Sequence, residues 1–217
     1  MILRFEGKMA IVDIGRAQAE MPPEEQAVEE YYHLNQRLAV YIKEIRDTIR
    51  GQKVIVSRSD PELVRELFAR EVPEVASGAV KIVAIAREAG KRTKIAVDST
   101  EEGVDPVGSC VGQKGVRVQA VINQLGGEKI DIIQYAKNPV EFLRAALSPA
   151  EGLVIKLDEK NKIAKIIAPE DQKSIVIGRG GQNVRLAGNL TNWEIYVEGG
   201  NADDTGEAET QKEPQGA

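Results

Sequence analysis

The sequence predicts an α+β protein in which a small β-barrel precedes two copies of one α-β-β-α-α-β unit. Short apolar segments separated by Gly, Pro and polar residues fill the first 59 residues, a pattern typical of small barrels. From residue 60 onward, the order helix, two strands, helix, glycine loop, helix and strand occurs twice. Aromatic residues make up only 4% of the chain, so aliphatic side chains must fill the cores of small α/β units.

Composition restricts the class of protein. Of the 217 residues, 42% are hydrophobic and 29% are charged, and no apolar run approaches the ~20 residues that span a bilayer. The start, MILRFEGKMAIVDIG, lacks a secretory pattern, and the single cysteine cannot form an internal disulfide. We therefore expect a cytoplasmic protein that is not associated with a membrane.

The net charge of −5 arises at the C-terminus. Six acidic residues and one lysine between residues 198 and 217 carry all of it, so residues 1–197 are neutral overall. This segment has no aliphatic side chain larger than Ala, and we predict a disordered acidic tail at 199–217. Any polyanion must therefore bind to local basic patches on the folded part.

The predicted barrel occupies residues 1–59. We expect a hairpin loop at DTIRGQ (47–52). The segment PPEEQAVEEYYHL (22–34) is helix-like in composition, and the alternative is a charged connector. The predicted strands are MAIVDIG (9–15), AQAEMP (17–22), RLAVYIKEIR (37–46) and KVIVSRS (53–59).

The first α+β unit is predicted at residues 60–137. It begins with a helix that Ser59 or Asp60 caps and Pro61 starts. Its later elements are strands at 79–88 and 92–99, a short helix that Asp105 caps and Pro106 starts, a second helix ending near Leu125, and a strand at 128–135.

The second unit is predicted at residues 138–198, and its centre repeats the first residue by residue. Val111, Gly112, Gly115 and Val118 fall on Ile177, Gly178, Gly181 and Val184, each 66 positions later. Only about three residues separate Tyr135 from the next predicted helix, so we expect the two units to be rigidly joined. The predicted elements are a helix at 138–147, strands at 151–159 and 161–169, helices at 170–178 and 182–190, and a strand at 192–199.

Each unit contains a G-x-x-G loop before a helix, Gly112-Gln113-Lys114-Gly115 and Gly178-Arg179-Gly180-Gly181. Glycine permits close backbone approaches, a helix start favours anions, and each loop contains one cation, so the pair suits a phosphodiester backbone. Neither loop has the spacing of a P-loop or of a G-x-G-x-x-G dinucleotide motif, which argues against a nucleotide-dependent enzyme. KH modules clamp single-stranded RNA with such a loop.

Several long segments carry a family resemblance. VDPVGSCVGQKGVRVQAVINQLGGEKIDII, LFAREVPEVASGAVKIVAIAREAGKRTKIAV and DQKSIVIGRGGQNVRLAGNLTNWEIYV resemble the tandem KH region of the bacterial NusA family of transcription elongation and termination factors. IVDIGRAQAEMPPEEQ and VIVSRSDPELVRELF resemble that family's S1 domain and its junction with the first KH domain. The resemblance covers about residues 1–197.

The resemblance implies an S1-like OB barrel, two type II KH domains, and an RNA-binding factor that modulates pausing, termination and antitermination. Its implied partners are single-stranded RNA, RNA polymerase and other antitermination factors, and we expect a monomer with no enzymatic activity, cofactor or metal. Family members usually begin with a polymerase-binding domain that does not precede Met1 here, so we expect either a fragment or a naturally short chain.

The implied RNA surface comprises the glycines, which would let phosphates approach, together with the neighbouring basic and amide side chains. Its members are Gly112, Gln113, Lys114, Gly115, Arg117, Gly178, Arg179, Gly180, Gly181, Gln182, Asn183 and Arg185. Val118 and Val184 line a groove for bases or belong to the core, and core packing is the favoured interpretation.

Two alternative functions remain at this point. S1 and KH modules also occur together in proteins of RNA processing or of the ribosome, and degenerate KH modules serve as protein scaffolds. Among single residues, Cys110 aligns with Val176 and Trp193 with Ile130, so packing is predicted for both. The lone His33 does not indicate a metal site. RNA contact and simple exposure stay open for Arg46, Arg58 and Tyr41 on the barrel strands.

Overall fold

The computed structural model describes residues 1–49 and 51–199. It contains three separate sheets, one at the N-terminus and one in each of the two repeated units. Of the acidic tail predicted from sequence, residues 200–217 lie outside the described residues.

The N-terminal sheet has five strands in the order β1-β2-β3-β5-β4, consistent with an S1/OB-like barrel. Strands β3 and β5 are parallel, and the other neighbours are antiparallel. The small core consists mainly of Ala10, Val12, Ala19, Met21 and Val56. The strands are β1 (Ile2–Glu6), β2 (Met9–Asp13), β3 (Gln18–Met21), β4 (Tyr41–Thr48) and β5 (Gly51–Ser57).

Of the two interpretations of residues 22–34, a helix and a charged connector, the structure has the connector. Only Pro23–Glu25 forms a 3₁₀ turn, and the chain then continues as irregular structure. Side chains hold it in place instead, because the Gln26 amide donates to the carbonyls of Lys8 and Met21. The predicted hairpin loop is also shorter than expected, since strands β4 and β5 extend into it.

The first α+β unit has the predicted element order with one addition. Asp60 and Asp105 cap their helices as expected, each accepting a hydrogen bond from a backbone N–H two residues later. The addition is a five-residue helix that starts at Pro73. The elements are α1 (Pro61–Glu71), α2 (Pro73–Ser77), β6 (Val80–Glu88), β7 (Arg92–Ser99), α3 (Pro106–Val111), α4 (Val116–Gln124) and β8 (Lys129–Gln134).

The second unit repeats this architecture without the extra helix. Asn138 caps its first helix through two backbone N–H groups. In both units the last two strands are parallel and the first pair is antiparallel. The elements are α5 (Pro139–Ala146), β9 (Val154–Asp158), β10 (Ile163–Ala168), α6 (Glu170–Ile177), α7 (Gln182–Thr191) and β11 (Glu194–Gly199).

The sheet of the first unit is covered on both faces. On one face, Ile82, Ile95 and Val97 pack against that unit's own helices. On the other face, Ala86 and Ala96 belong to the same hydrophobic cluster as the helices of the second unit. Because the two units share one core, they are joined by packing as well as by the short connection from which the sequence predicted a rigid arrangement.

Arg58 joins the barrel to the first α+β unit. Its side chain is 1% exposed, and its Nε donates to Glu30 Oε2 at 2.8 Å. Its Nη1 donates to the carbonyl of Ala39, and its Nη2 donates to the carbonyl of Gln124 on α4. Both interpretations of Arg58 from sequence, RNA contact and simple exposure, are therefore wrong.

Candidate nucleic-acid interface

The two glycine loops have the same backbone conformation. Gly112 and Gly178 both have φ 73°, and the third positions, Lys114 and Gly180, have φ 53° and 59°. The glycine at the fourth position of each loop also has a left-handed backbone conformation. Three positions out of four thus have positive φ, which glycine adopts freely and lysine only at a cost. The turn ends one helix and starts the next within four residues.

The first glycine of each loop makes room for the following helix. A Cβ atom on Gly112 would lie 2.7 Å from Cγ of Arg117, and one on Gly178 would lie 2.7 Å from Cβ of Asn183. Packing within each unit therefore explains these two glycines without any ligand. The sequence suggested that every loop glycine lets a phosphate approach. For the last glycine of each loop, packing gives no such explanation, and phosphate approach stays a prediction.

Arg117 and Asn183 occupy equivalent positions and bind equivalent carbonyls. Nη1 of Arg117 donates to the carbonyl of Ser109 at 2.7 Å and also contacts Glu74. Nδ2 of Asn183 donates to the carbonyls of Ile175, Val176 and Leu147, each at 3.2 Å.

Asn183 is only 2% exposed, so its amide is turned away from the surface that the resemblance implied. Both side chains hold the end of the preceding helix, which positions the loop.

Lys114 and Arg179 are the exposed cations of the two loops. Within residues 1–49 and 51–199, neither side chain forms an ion pair. The two charges are not equivalent, because the cation lies at the third position of the first loop and at the second position of the other. Gln113 is exposed beside Lys114.

Gln182 and Arg185 bind to the first unit instead of facing solvent freely. Nε2 of Gln182 donates to Glu88 Oε2 at 2.8 Å, and Nε of Arg185 donates to Glu88 Oε1 at 2.6 Å. Arg185 holds the pKa of the Glu88 carboxyl below its usual value, and Glu88 raises the pKa of Arg185. The charge of Arg185 is therefore largely compensated.

Apolar side chains surround both loops. Val116 is 63% exposed beside the first loop and lines a cavity of about 590 Å³ together with Glu74, Val104 and Gly108. Val118 packs partly against the core, as the favoured interpretation predicted. Val116 was not predicted as a site residue, although its position directly after the glycine loop was a usable signal. In the second unit, Val184 lines a different cavity beside Trp193.

The remaining candidates from sequence pack in or beside a core, except Arg46, which lies at the surface. Cys110 is fully buried, and burial raises the pKa of its thiol to about 11. Trp193 is buried with the Lys162 ammonium 4.7 Å from its ring centre, and Tyr41 packs beside the core of the first α+β unit. Arg46 is exposed and paired with Glu44 on its own strand.

The described residues offer neither a metal site nor a membrane-crossing helix. No group of His, Cys, Asp or Glu side chains within residues 1–49 and 51–199 could hold a metal ion. In the same part of the chain, no helix combines the length and apolarity that crossing a membrane requires.

The comparisons with known proteins point to one family. The model described as the NusA-like first KH domain matches residues 58–135, and the NusA-like second KH domain matches residues 139–204. A solved structure titled "Crystal structure of APE1850" is similar to 62% of this chain and 95% of its own, with a TM-score of 0.45 and 19% identity, which is too distant to support an argument.

Curated relatives agree with the family models. The transcription termination/antitermination protein NusA of Thermus thermophilus is 48% identical over 197 residues, which are 91% of this chain and 51% of that protein. The protein of the same name from Bacillus subtilis is 45% identical over 91% of this chain and 53% of its own length. The chain thus spans about half the length of the curated relatives it matches. With both NusA-type KH domains in tandem, the chain belongs to the NusA-like family.

Proposed function

We propose that this chain binds single-stranded RNA through both glycine loops. The observation that carries the proposal is the repeated loop geometry: two turns of the same backbone conformation each present an exposed, unpaired cation at the start of a helix. Such a surface complements a flexible polyanion, and its repetition within one shared core suits a strand that contacts both units.

Within this proposal the residues fall into three groups. Lys114 and Arg179 supply charge, Gln113 supplies an amide, and Gly115 and Gly181 leave the backbone accessible. Five residues shape and orient the loops: Gly112, Gly178, Arg117, Asn183 and Gly180. Gln182 and Arg185 fix the second loop against the first unit through Glu88, and their direct contact with RNA is secondary.

We further propose a role in transcription termination and antitermination, because the curated relatives carry that name. RNA polymerase and other antitermination factors would be its partners, and the protein would act in the cytoplasm as a monomer without catalysis or a cofactor. The barrel at 1–59 and the KH domains at 60–137 and 138–198 would form its functional units. The two alternative functions gain no support from a specific contact.

A charge-reversal experiment tests RNA binding. Lys114→Asp and Arg179→Asp together change the net charge by −4, and Asp is tolerated at left-handed positions such as residue 114. The matched control, Lys81→Asp with Lys160→Asp, makes the same change at two exposed lysines outside the loops. Fluorescence anisotropy on single-stranded RNA at fixed salt should show a loss of about tenfold or more for the loop variant only.

Two outcomes count against the proposal. Equal affinities of the loop variant and the control would rule out binding through the loops. RNA binding with no effect of the chain on terminator read-through, in a single-round assay with bacterial polymerase, would limit the role to RNA binding. Thermal unfolding of each variant shows whether the fold is intact.

A further inference from the structure

Strand β4 lies at the edge of the N-terminal sheet. It pairs with β5 on one side, and within residues 1–49 and 51–199 no strand lies on its other side. Residues 42–48 are exposed along this strand. Alternate N–H and C=O groups of an edge strand point away from the sheet and can pair with a further strand.

Two large apolar side chains of β4 lie on the core side of the barrel. In the ladder with β5, Ile42 is opposite Val56 and Ile45 is opposite Val54, and both valines belong to or pack against the barrel core. Ile42 is nevertheless 49% exposed, and Ile45 is 59% exposed. The apolar face of the sheet thus extends past the part that the barrel covers, and one more strand beside β4 would cover it.

The charges of β4 are complementary to themselves. The strand carries Lys43, Glu44, Ile45, Arg46 and Asp47 in that order. If a second copy runs antiparallel with the two Ile45 residues opposite each other, Glu44 of each copy faces Arg46 of the other. Lys43 and Asp47 face each other in the same way. Because such an arrangement has twofold symmetry, each pair of opposite charges occurs twice.

Neighbouring registers lack this complementarity. Only alternate residues direct their backbone groups outward, so an antiparallel ladder can shift only in steps of two residues. One such shift places Glu44 opposite Glu44, and the reverse shift places Arg46 opposite Arg46. Like charges directly opposite each other are destabilising. Charged residues on an edge strand normally keep copies apart for this reason, whereas here they favour one register.

We propose that two copies of this chain associate through strand β4, antiparallel and centred on Ile45, so that their N-terminal sheets become one continuous sheet. This inference goes beyond the proposed RNA binding and does not depend on it. The central pairs of Glu44 with Arg46 determine the register, because Lys43 already binds Glu25 and lies at a β-bulge. Since the ladder is short, the monomer proposed above is the dilute form, and the dimer forms as the concentration rises.

Two complementary charge variants test the register. Glu44→Arg makes both central positions basic, and Arg46→Glu makes both acidic. Sedimentation velocity without RNA, over a range of concentrations, should show each variant dimerising about tenfold more weakly than the wild type. An equimolar mixture of the two variants should recover the wild-type affinity as a heterodimer, because every central pair again has opposite charges.

The mixture separates contact between chains from contact within one chain. Arg46 pairs with Glu44 of its own strand at 2.8 Å, and both single variants lose that pair. Mixing the variants does not restore it, so recovery in the mixture reports pairing between copies. The double substitution of Glu44→Arg with Arg46→Glu in one chain should recover dimerisation as well.

Ile45→Lys tests the centre of the ladder. It places two ammonium groups opposite each other at the twofold axis and should weaken the dimer about tenfold. The matched control is Val28→Lys, which makes the same kind of change at a valine that is 83% exposed on the connector, outside β4. This control should dimerise like the wild type. Thermal unfolding checks the fold of each variant, and the substituted side chains are all exposed.

Three outcomes would overturn the proposal. The first is a wild-type chain that stays monomeric up to about 1 mM. The second is a dimer that forms equally well in Glu44→Arg, Arg46→Glu and Ile45→Lys, which would assign the contact to another surface. The third is a mixture of the charge variants that associates no better than each variant alone. Because these measurements contain no RNA, a failure of the proposed RNA binding would leave them unchanged.

Discussion

Arg185 in the second KH domain donates a hydrogen bond at 2.6 Å to Glu88 in the first, 97 positions earlier in the chain. Gln182 binds the other oxygen of the same carboxylate. Glu88 ends strand β6, so the hairpin of one domain holds the glycine-loop helix of the other. The relative placement of the two loops, which any RNA strand contacting both must match, depends in part on this carboxylate.

Replacing Glu88 by Gln should have a small, pH-dependent effect on stability. Arg185 lowers the pKa of Glu88, so its contribution is present above the unfolded pKa and is lost as the pH falls through the lowered folded value. Because the pair is partly exposed, we expect the variant to be less stable at pH 7 by less than about 1 kcal/mol. Urea unfolding from about pH 7 to about pH 2 should show the difference disappearing in acid. A stability difference that persisted at low pH would show that it arises from packing and not from the charge of Glu88.

The glycines of the second loop should differ in their sensitivity to Ala. Gly178→Ala places a Cβ atom 2.7 Å from Cβ of Asn183 and 2.9 Å from its backbone N, at a positive φ, so a loss of about 2 kcal/mol or more is expected. Gly181→Ala also has a positive φ, but its ψ of 14° places it in the left-handed helical region, whereas Gly178 has ψ 172°. No contact there is nearer than 3.6 Å, so about 1 kcal/mol is expected. Denaturant unfolding of the two variants makes the comparison, and equal losses would contradict the packing role of Gly178.

Arg58→Met should be among the most destabilising single substitutions at the barrel junction. It leaves the largely buried Glu30 without its main partner and frees two carbonyls, so a loss of about 3–5 kcal/mol is expected. Urea unfolding checks the value. Adding Glu30→Gln should recover part of the loss, because the double variant no longer leaves a carboxylate unpaired. A loss below about 1 kcal/mol in the single variant would show that the junction does not depend on this pair.

Cys110 should behave as a packing residue. Its thiol is buried and its pKa is raised to about 11, so a thiol reagent at neutral pH should react at the rate of unfolding rather than on mixing. Cys110→Val, which copies Val176 at the equivalent position, should change the free energy of unfolding by less than about 1.5 kcal/mol. Fast labelling of the native protein would contradict this role.

The repeat made most of the local structure predictable. Caps at Asp60 and Asp105 and the interruption at each glycine loop are local signals, and the structure has all of them. After Met21 the sequence left a helix and a charged connector open, and the structure has the connector, because side-chain hydrogen bonds to distant carbonyls outweigh the helix-forming composition. Helix α2 was missed because five residues are too few to show periodicity.

The sequence by itself determined the order of elements, the position of both loops and the family, because these depend on local propensity and on an internal repeat. Only the tertiary structure decided what individual polar side chains do. It turned Asn183 inward, bound Arg185 to the other KH domain and buried Arg58 at a junction. These roles depend on partners up to 97 positions away, and the residue types alone do not specify such pairings.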